Sequence, residues 1–143
     1  MWWKEERPEI YKSARYFCEV TSFFVGYLTG IPANGYCGAA YTQLYDVREK
    51  TWSREMFDAA GLDIEKMFEV RSGYDVQGTV RKKRAEEFGL SEHTRVVVGD
   101  SDHQLAMLGS GMERPGQVMD ISGTSTSIAA YTTIQEPCRR IYL

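Results

Sequence analysis

The sequence predicts an α/β fold, mainly because a strand followed by a helix and then a β-hairpin can be identified along it. Three β-branched residues, Val96 to Val98, predict a short buried strand that stops at Gly99. Farther on, Val118 to Ser122 and Ser127 to Tyr131 alternate like two strands of a hairpin, with the turn Gly123-Thr124-Ser125-Thr126 between them. Helices precede these elements, so the predicted order is helices first, then strand, helix and hairpin.

The first part of the chain predicts one long helix. Pro8 suits its first turn, and Gly30 suits its C-terminal end. Six residues recur on one face at helical spacing, a pattern typical of a helix face packed in the core: Ile10, Ala14, Phe17, Thr21, Phe24 and Leu28.

Turn and capping residues divide the middle of the chain. Asn34-Gly35 predicts a turn, and Ala39 to Leu44 predicts a short second helix. Ser53 offers a hydroxyl N-cap to a helix that ends at Gly61. Asp63 is a candidate cap for a further helical turn.

A strand and a charged helix come next. Val76 to Val80 predicts a short strand with a glycine bulge or turn at Gly78. Arg81 to Phe88 predicts a helix that closes on Gly89. Because the basic residues of this helix are followed at once by Glu86-Glu87, we expect a solvated face rather than an anion site.

The composition is that of an ordinary globular domain, with 143 residues of which 43% are hydrophobic. A formal net charge of −3 gives no reason to expect nucleic acid or an anionic membrane as a partner. The cysteines Cys18, Cys37 and Cys138 lack metal-ligand spacing and predict reduced thiols. The charged start of the chain is unlike a signal peptide, and the apolar region Tyr16 to Ile31 is too short to cross a bilayer. These features predict a soluble cytoplasmic protein.

The polar residues after the strand Val96 to Val98 are the candidates for catalysis. Asp102 lies just past the strand, where ligand sites gather in open α/β sheets, and its carboxylate could act as a general base towards a substrate hydroxyl. A cap on the helix that begins at His103 is an equally good explanation. Asp100 has the same cap alternative and is also a candidate Mg²⁺ ligand, since Mg²⁺ favours one or two carboxylates plus waters.

Two further groups of residues are candidates for binding. His103 and Gln104 could hydrogen-bond a polyol, although a lone histidine beside a helix start is often structural. The turn Gly123-Thr124-Ser125 offers backbone N–H groups and hydroxyls to phosphate oxygens. An ordinary hairpin turn of the same composition is the alternative.

Six short segments occur in an order that is specific when they are taken together: Pro8 to Tyr11 with Tyr27 to Gly30, Tyr45-Asp46, Trp52, Gly78 to Val80, Val96 to Gly109, and Gly123 to Ser125. In this order they resemble the FGGY carbohydrate kinases, over nearly all of the chain. The first is similar to that family's long helix ending in Leu-Thr-Gly, and Tyr45-Asp46 and Trp52 together are similar to its yD…W segment. The other three are similar, in turn, to its GxV before a helix, its strand and helix with the catalytic Asp, and its Gly-Thr-Ser turn.

The resemblance implies the actin/hexokinase-like ATPase fold of two ribonuclease-H-like domains. Residues 1–112 would be the second half of the first domain, and 113–143 the opening hairpin of the next. The implied reaction moves the γ-phosphate of ATP, with Mg²⁺, to a hydroxyl of a sugar or polyol, and a ketose such as a pentulose is favoured. A homodimer of the full-length protein is compatible with the resemblance.

The resemblance also implies roles for individual residues. Asp102 matches the family's catalytic base, and His103, with Gln104 beside it, matches a position that contacts substrate. Gly123 and Thr124, and with them Ser125, match the turn near the ATP phosphates.

The chain departs from the family pattern in two respects. The family often has glycines at the two positions before its Asp, whereas this chain has Asp100 and Ser101. The extra carboxylate could repel phosphate or help to hold Mg²⁺. The family's Asp-Gly-Thr phosphate loop and glycine-rich adenosine segment do not occur in these 143 residues. We therefore expect a piece of a larger protein, inactive on its own because a kinase needs both lobes to align its reactants.

Two other classes of function are compatible with the residues. One is a metal-dependent hydrolase with Asp100, Asp102 and His103 as ligands, for which His93 is the remaining histidine. The other is a non-catalytic, kinase-like interaction module, which would fold but have no affinity for nucleotide.

Overall fold

The computed structural model describes residues 1–123 and 126–134, which form two compact units divided after Asp100. Within these ranges the helices are α1 (Trp2–Glu6), α2 (Pro8–Ser13), α3 (Val20–Thr29), α4 (Tyr36–Tyr41), α5 (Arg54–Ala60), the 3-10 helix Ile64–Lys66, α6 (Lys82–Phe88) and α7 (Asp102–Gly109). The strands are β1 (Asn34–Gly35), β2 (Tyr45–Asp46), β3 (Thr51–Trp52), β4 (Val70–Arg71), β5 (Val76–Thr79), β6 (Arg95–Val97), β7 (Val118–Ser122) and β8 (Thr126–Ala130). The predicted strands, helices and hairpin from Val76 onward are confirmed, whereas the short strands β1 to β4 lie among the helices that were predicted to come first.

The long helix predicted between Pro8 and Gly30 is wrong, because it is two helices, α2 and α3. The chain is extended at Ala14 and again at Glu19. Between them the backbone N–H of Phe17 donates to the carbonyl of Lys66 at 2.9 Å. A tertiary hydrogen bond therefore replaces helix continuation in this segment. The predicted end of α3 is confirmed, since Gly30 closes it in the left-handed conformation at φ 82°.

The prediction that one face of this long helix packs in the core is also wrong. In α3 the buried residues are Ser22, Val25 and Thr29. Phe24, which was expected inside, is 52% exposed, and Ile10 of α2 is exposed as well. The break between α2 and α3 changes the rotation of one helix relative to the other, so a single helical register cannot describe both faces.

Asn34-Gly35 is a strand rather than the predicted turn. It forms β1, which pairs in parallel with β4, so that Asn34 lies opposite Val70. The following helix begins at Tyr36 instead of Ala39 and ends at Tyr41. The parallel partner is far away in sequence, and a local Asn-Gly pattern carries no information about it.

The capping residues predicted for α5 and α6 are confirmed, whereas the side-chain cap predicted at Asp63 is not formed. The Ser53 hydroxyl accepts a hydrogen bond from the backbone N–H of Met56 at 3.3 Å, and α5 ends at left-handed Gly61. Gly89 closes α6 in the same way at φ 66°. Asp63 precedes the 3-10 helix but its side chain makes no cap hydrogen bond.

The strand with a glycine irregularity is also confirmed. β5 pairs antiparallel with β6, and their register shifts between Val76 and Gly78. Val98, directly after β6, is fully buried, at 0% exposed. Val97 is 51% exposed, so the predicted buried strand is buried at its end only.

In its described residues, the second unit contains α7 and the hairpin of β7 and β8. These strands are antiparallel, with Val118 opposite Ala130 and Ser122 opposite Thr126. The predicted hairpin is confirmed, with its second strand beginning one residue earlier than expected.

No helix in 1–123 or 126–134 is both long and apolar enough to cross a membrane.

Replacing Ser53 by Ala is expected to lower the free energy of unfolding of the chain by about 1 kcal/mol, because the first turn of α5 loses its side-chain cap. Urea unfolding followed by circular dichroism measures this change. Ser53→Asp is the matched control and should retain most of the stability, since Asp is an equally good N-cap. Equal losses in the two variants would contradict the capping role.

Candidate active site

The carboxylate of Asp100 binds the N-terminus of α4. Its Oδ1 accepts hydrogen bonds from the backbone N–H groups of Cys37 and Gly38, both at 3.1 Å, and its Oδ2 lies 3.2 Å from the Cys37 nitrogen. Hydrogen bonds to a charged group contribute about 1.5–3 kcal/mol each when partly shielded from water. The first turn of α4 thus receives its capping carboxylate from a residue far along the chain.

Two glycines make room for Asp100. A Cβ on Gly35 would lie 2.6 Å from Asp100 Cγ and equally close to the Gly99 carbonyl oxygen. A Cβ on Gly73 would lie 3.2 Å from the Asp100 Cβ and 3.0 Å from the same carbonyl. Gly99 itself has φ 71°, so the chain leaves β6 through a left-handed residue that favours glycine. These glycines let three backbone segments meet around one carboxylate.

A second acidic side chain lies near this carboxylate. Burial, and after it the charge of Asp100, raises the pKa of the Glu19 carboxyl above its ordinary value. Gly38 is the position that makes room for Glu19, because a Cβ there would overlap the Glu19 carboxylate. Ser22, one turn along α3, donates to the Asn34 side chain and is itself buried.

The same surroundings keep Cys37 protonated. Burial is the main cause, and the charge of Asp100 and a hydrogen bond to it add to the effect, so the pKa of the Cys37 thiol rises to about 11. A thiol with such a pKa is a poor nucleophile at neutral pH. Cys37 is a free thiol, as the cysteine spacing predicted.

A cavity of about 290 Å³ lies in the first unit beside Glu19. Its lining residues are Phe17, Cys18, Glu19, Asn34, Gly38, Thr42, Trp52 and Met67. Trp52 is held there by its indole N–H, which donates to the carbonyl of Phe68 at 2.8 Å.

Asp102 is in the first turn of α7, in the second unit. Its side chain is 94% exposed, whereas that of the neighbouring His103 is 33% exposed. The Asp102 Oδ1 lies 2.9 Å from His103 Nδ1 and also accepts the His103 backbone N–H at 2.9 Å. The hydrogen bond from the imidazole is the largest of the effects that hold the pKa of the Asp102 carboxyl below its ordinary value.

This arrangement suits a general base that must stay ionised and accessible. The carboxylate faces solvent, and one oriented donor holds it as the anion without covering it. The alternative prediction, that Asp102 is the N-cap of this helix, is wrong, because Ser101 is the N-cap of α7 and Asp102 is its first helical residue. A negative charge in the first turn also interacts favourably with the helix dipole.

The other predicted binding residues have mixed outcomes. Gln104 follows on α7 and is half-buried, and Gly123 is exposed directly after β7. Thr124 and Ser125, predicted to contact ATP phosphates, lie outside the described residues. His93 lies in the turn before β6, where its N–H donates to the Ser91 hydroxyl at 3.1 Å.

Within the part of the chain that the structure describes, no three His, Cys, Asp or Glu side chains come together in a way that could hold a metal ion. The hydrolase with Asp100, Asp102 and His103 as ligands therefore gains no support. The contacts of Asp100 with α4 give this carboxylate another use, so the Mg²⁺ role predicted for it remains only a prediction.

Sequence reasoning missed the residues around Asp100. Gly35 was taken for a turn residue, and Glu19, Cys37 and Gly38 were given no role in the site. A glycine in a strand often marks a close approach of another backbone, which is what Gly35 does here. That signal could have been used only if Asn34-Gly35 had first been identified as a strand.

The fold is that of known sugar kinases. The structure matches xylulose kinase from Rhodospirillum rubrum with a TM-score of 0.90 at 21% identity, over 99% of this chain and 29% of that chain. It matches glycerol kinase from Plasmodium falciparum, solved with ADP, with a TM-score of 0.77 at 18% identity, over 89% of this chain and 26% of the other. The predicted actin/hexokinase-like ATPase fold is confirmed.

The sequence agrees with the fold. The family model described as "FGGY family of carbohydrate kinases, N-terminal domain" matches residues 1–109. The chain belongs to the FGGY family of carbohydrate kinases, as the resemblance implied. An autoinducer-2 kinase from Enterobacter sp. (strain 638) is 33% identical over 124 residues, which are 87% of this chain and 23% of that relative. The chain thus spans about a quarter of the length of the curated relatives it matches.

We expect Cys37 to react with iodoacetamide at pH 8 about 100-fold more slowly than a thiol of pKa 9.0, because so little of it is thiolate. Its rate should rise about tenfold per pH unit until the pH approaches 11. Peptide mass spectrometry after timed alkylation separates Cys37 from the exposed Cys18.

Asp100→Asn should accelerate the alkylation of Cys37 at pH 8, because it removes the charge that disfavours the thiolate. Asp75→Asn, which changes an exposed carboxylate in the same unit, is the matched control. An unchanged rate in Asp100→Asn would contradict the assigned cause.

Proposed function

We propose that this chain supplies the general base of an ATP-dependent carbohydrate kinase, which transfers the γ-phosphate of ATP to a hydroxyl of a sugar or polyol. The observation that carries the proposal is the contrast between two aspartates two residues apart. Asp102 is exposed and held as the carboxylate by His103, whereas the Asp100 carboxylate accepts hydrogen bonds from α4. Family membership supplies the reaction class.

In this mechanism Asp102 accepts the proton of the substrate hydroxyl as that oxygen attacks the γ-phosphorus, and ADP leaves. His103 keeps Asp102 ionised and oriented through the Nδ1 contact. Phosphoryl transfer needs mainly positioning and charge stabilisation, so one oriented carboxylate is a sufficient protein base. Gly123, Thr124 and Ser125 are proposed to offer N–H groups and hydroxyls to the ATP phosphates.

Mg²⁺ is proposed to arrive with ATP rather than in a site of this chain. The ion usually binds through one or two carboxylates together with substrate phosphates, where it neutralises charge. Bound in this way, the ion would supply charge stabilisation at the phosphates, while the step made by the protein's own residues is the acceptance of the hydroxyl proton by Asp102.

The proposed acceptor is a ketose, with a pentulose favoured. The sugar kinases that share the fold include xylulose kinases, and the name of the 33% identical relative adds autoinducer-2 as an acceptor to test. We also propose that 1–112 belong to the first kinase domain and 113–143 to the next, that the full-length protein is cytoplasmic, and that it forms a homodimer.

A test of the proposal is to express the whole reading frame that contains this sequence and to measure ADP release with xylulose, ribulose, glycerol and autoinducer-2. ATP-dependent phosphorylation of a sugar or polyol is the expected result, while the 143-residue chain alone should show none. A reading frame limited to this chain, folded but without affinity for ATP, would instead support the interaction module.

Asp102→Asn is expected to lower kcat in the full-length protein by about 100- to 10,000-fold, the range that one general base contributes. Affinity for ATP should stay nearly the same, because the substituted side chain acts on the acceptor hydroxyl. A coupled ADP assay and isothermal titration with ATP measure the two quantities. Asp58→Asn, an exposed change in α5, is the control. Retained turnover in Asp102→Asn would exclude Asp102 as the base.

His103→Ala should move the acidic limb of the kcat/KM profile to higher pH. The imidazole contact lowers the pKa of Asp102, so the base stays ionised to a lower pH than an ordinary carboxyl group. Without His103 that pKa rises, and activity is lost earlier as the pH falls. Gln104→Ala is the matched control, since it changes a neighbouring side chain but leaves this hydrogen bond in place. An unmoved limb in His103→Ala would refute the coupling.

A further inference from the structure

We infer that Asp100 is a positioning residue for the phosphoryl transfer, fixing the chain that leads to Asp102 by anchoring it on α4. The inference rests on the proposed function, because it assumes that Asp102 is the base. It assigns the carboxylate at position 100 a role other than holding Mg²⁺ or repelling phosphate.

The anchor is a set of directed hydrogen bonds. The Asp100 oxygens accept the N–H groups of Cys37 and Gly38 at 3.1 and 3.2 Å. These donors are in the first turn of α4, where backbone N–H groups have no partner within the helix. A side chain held by two rigidly spaced donors has little freedom to move, and neither has its own backbone.

The surroundings of the anchor fix its position further. A Cβ atom on Gly35 or Gly73 would lie so close to the Gly99 carbonyl oxygen and the Asp100 side chain that the surrounding atoms would have to move. In addition, the Gly99 N–H donates to the Gly73 carbonyl at 3.0 Å. The chain after β6 is therefore held by two contacts. One is the hydrogen bond from Gly99 to Gly73, and the other is the set of hydrogen bonds from α4 to the Asp100 side chain.

The connection to the base is covalent and short. Only Ser101 separates Asp100 from Asp102, so their Cα atoms are at most about 7 Å apart. A shift of Asp100 would move the residue from which this single-residue tether starts, and the kinetic comparison below measures whether Asp102 is displaced with it. A misplacement of about 1 Å in a reacting group can cost about 100-fold in rate. Asp100 thus influences the reaction without touching the substrate.

The test compares Asp100→Ala with Asp100→Asn in the full-length protein. The alanine variant loses the anchor, and we expect its kcat to fall about 100-fold with the KM values for ATP and sugar within about twofold. The asparagine variant keeps an acceptor oxygen of the same shape, so its kcat should be rescued to within about tenfold of the wild type. The Mg²⁺ concentration for half-maximal rate should not change in either.

A different pattern would overturn the inference. If Asp100 bound Mg²⁺ or acted by its charge, the two variants would be equally impaired, and the Mg²⁺ requirement or the KM for ATP would shift. If Asp100 only stabilised the fold, the loss of rate would follow the loss of folded protein, measured by thermal unfolding, with kcat per folded molecule unchanged. Asp75→Asn is the control and should match the wild type.

Hydrogen exchange on the 143-residue chain tests the anchor independently of turnover. In Asp100→Ala the amides of Cys37 and Gly38 should exchange about tenfold faster, while that of Phe57 in α5 stays as in the wild type. Unchanged exchange at both amides would show that the anchor does not exist. A full-length wild type without any turnover would refute the proposed function and the positioning role with it, whatever the exchange result.

Discussion

The hydrogen bonds from the N-terminus of α4 to the Asp100 carboxylate are the interaction on which the rest of the first unit depends. They join β6 to a helix near the start of the unit, and β1 leads directly into that helix. The close approach of Asp100 is feasible only because Gly35 and Gly73 carry no side chain. One carboxylate thereby determines residue choice at several distant positions.

The same carboxylate sets the electrostatics around it. Its negative charge raises the pKa values of Glu19 and Cys37, in both cases as an addition to burial. The aspartate two residues on experiences the opposite effect, because His103 favours its ionised form. Two residues of the same type therefore have different chemistry, one satisfied by backbone donors and the other exposed and ionised.

Much of the fold could be predicted from the sequence wherever a local rule decides the structure. The cap at Ser53, the left-handed stops at Gly61 and Gly89, and the β7–β8 hairpin depend on residues a few positions apart. The break between α2 and α3 and the strand at Asn34-Gly35 depend on partners far along the chain, so no window of sequence contains their cause. Helical periodicity was a poor guide for this reason.

The candidate site likewise has a part that depends on residues close together in sequence and a part that depends on distant ones. Asp102 and His103 are adjacent and follow a recognisable strand, so the sequence alone could propose them, and their role in the reaction stays a prediction. The surroundings of Asp100 were not predictable, because its donors lie 62 and 63 positions away.

That separation also has a consequence for biosynthesis. When a ribosome has released α4, the acceptor for its first turn has not yet been translated, and a six-residue helix is too short to persist unaided. We expect α4 and the segments packed around it to stay incompletely ordered until residue 100 has left the ribosome. We thus expect the nascent chain to offer a chaperone a long period of contact before this unit can close.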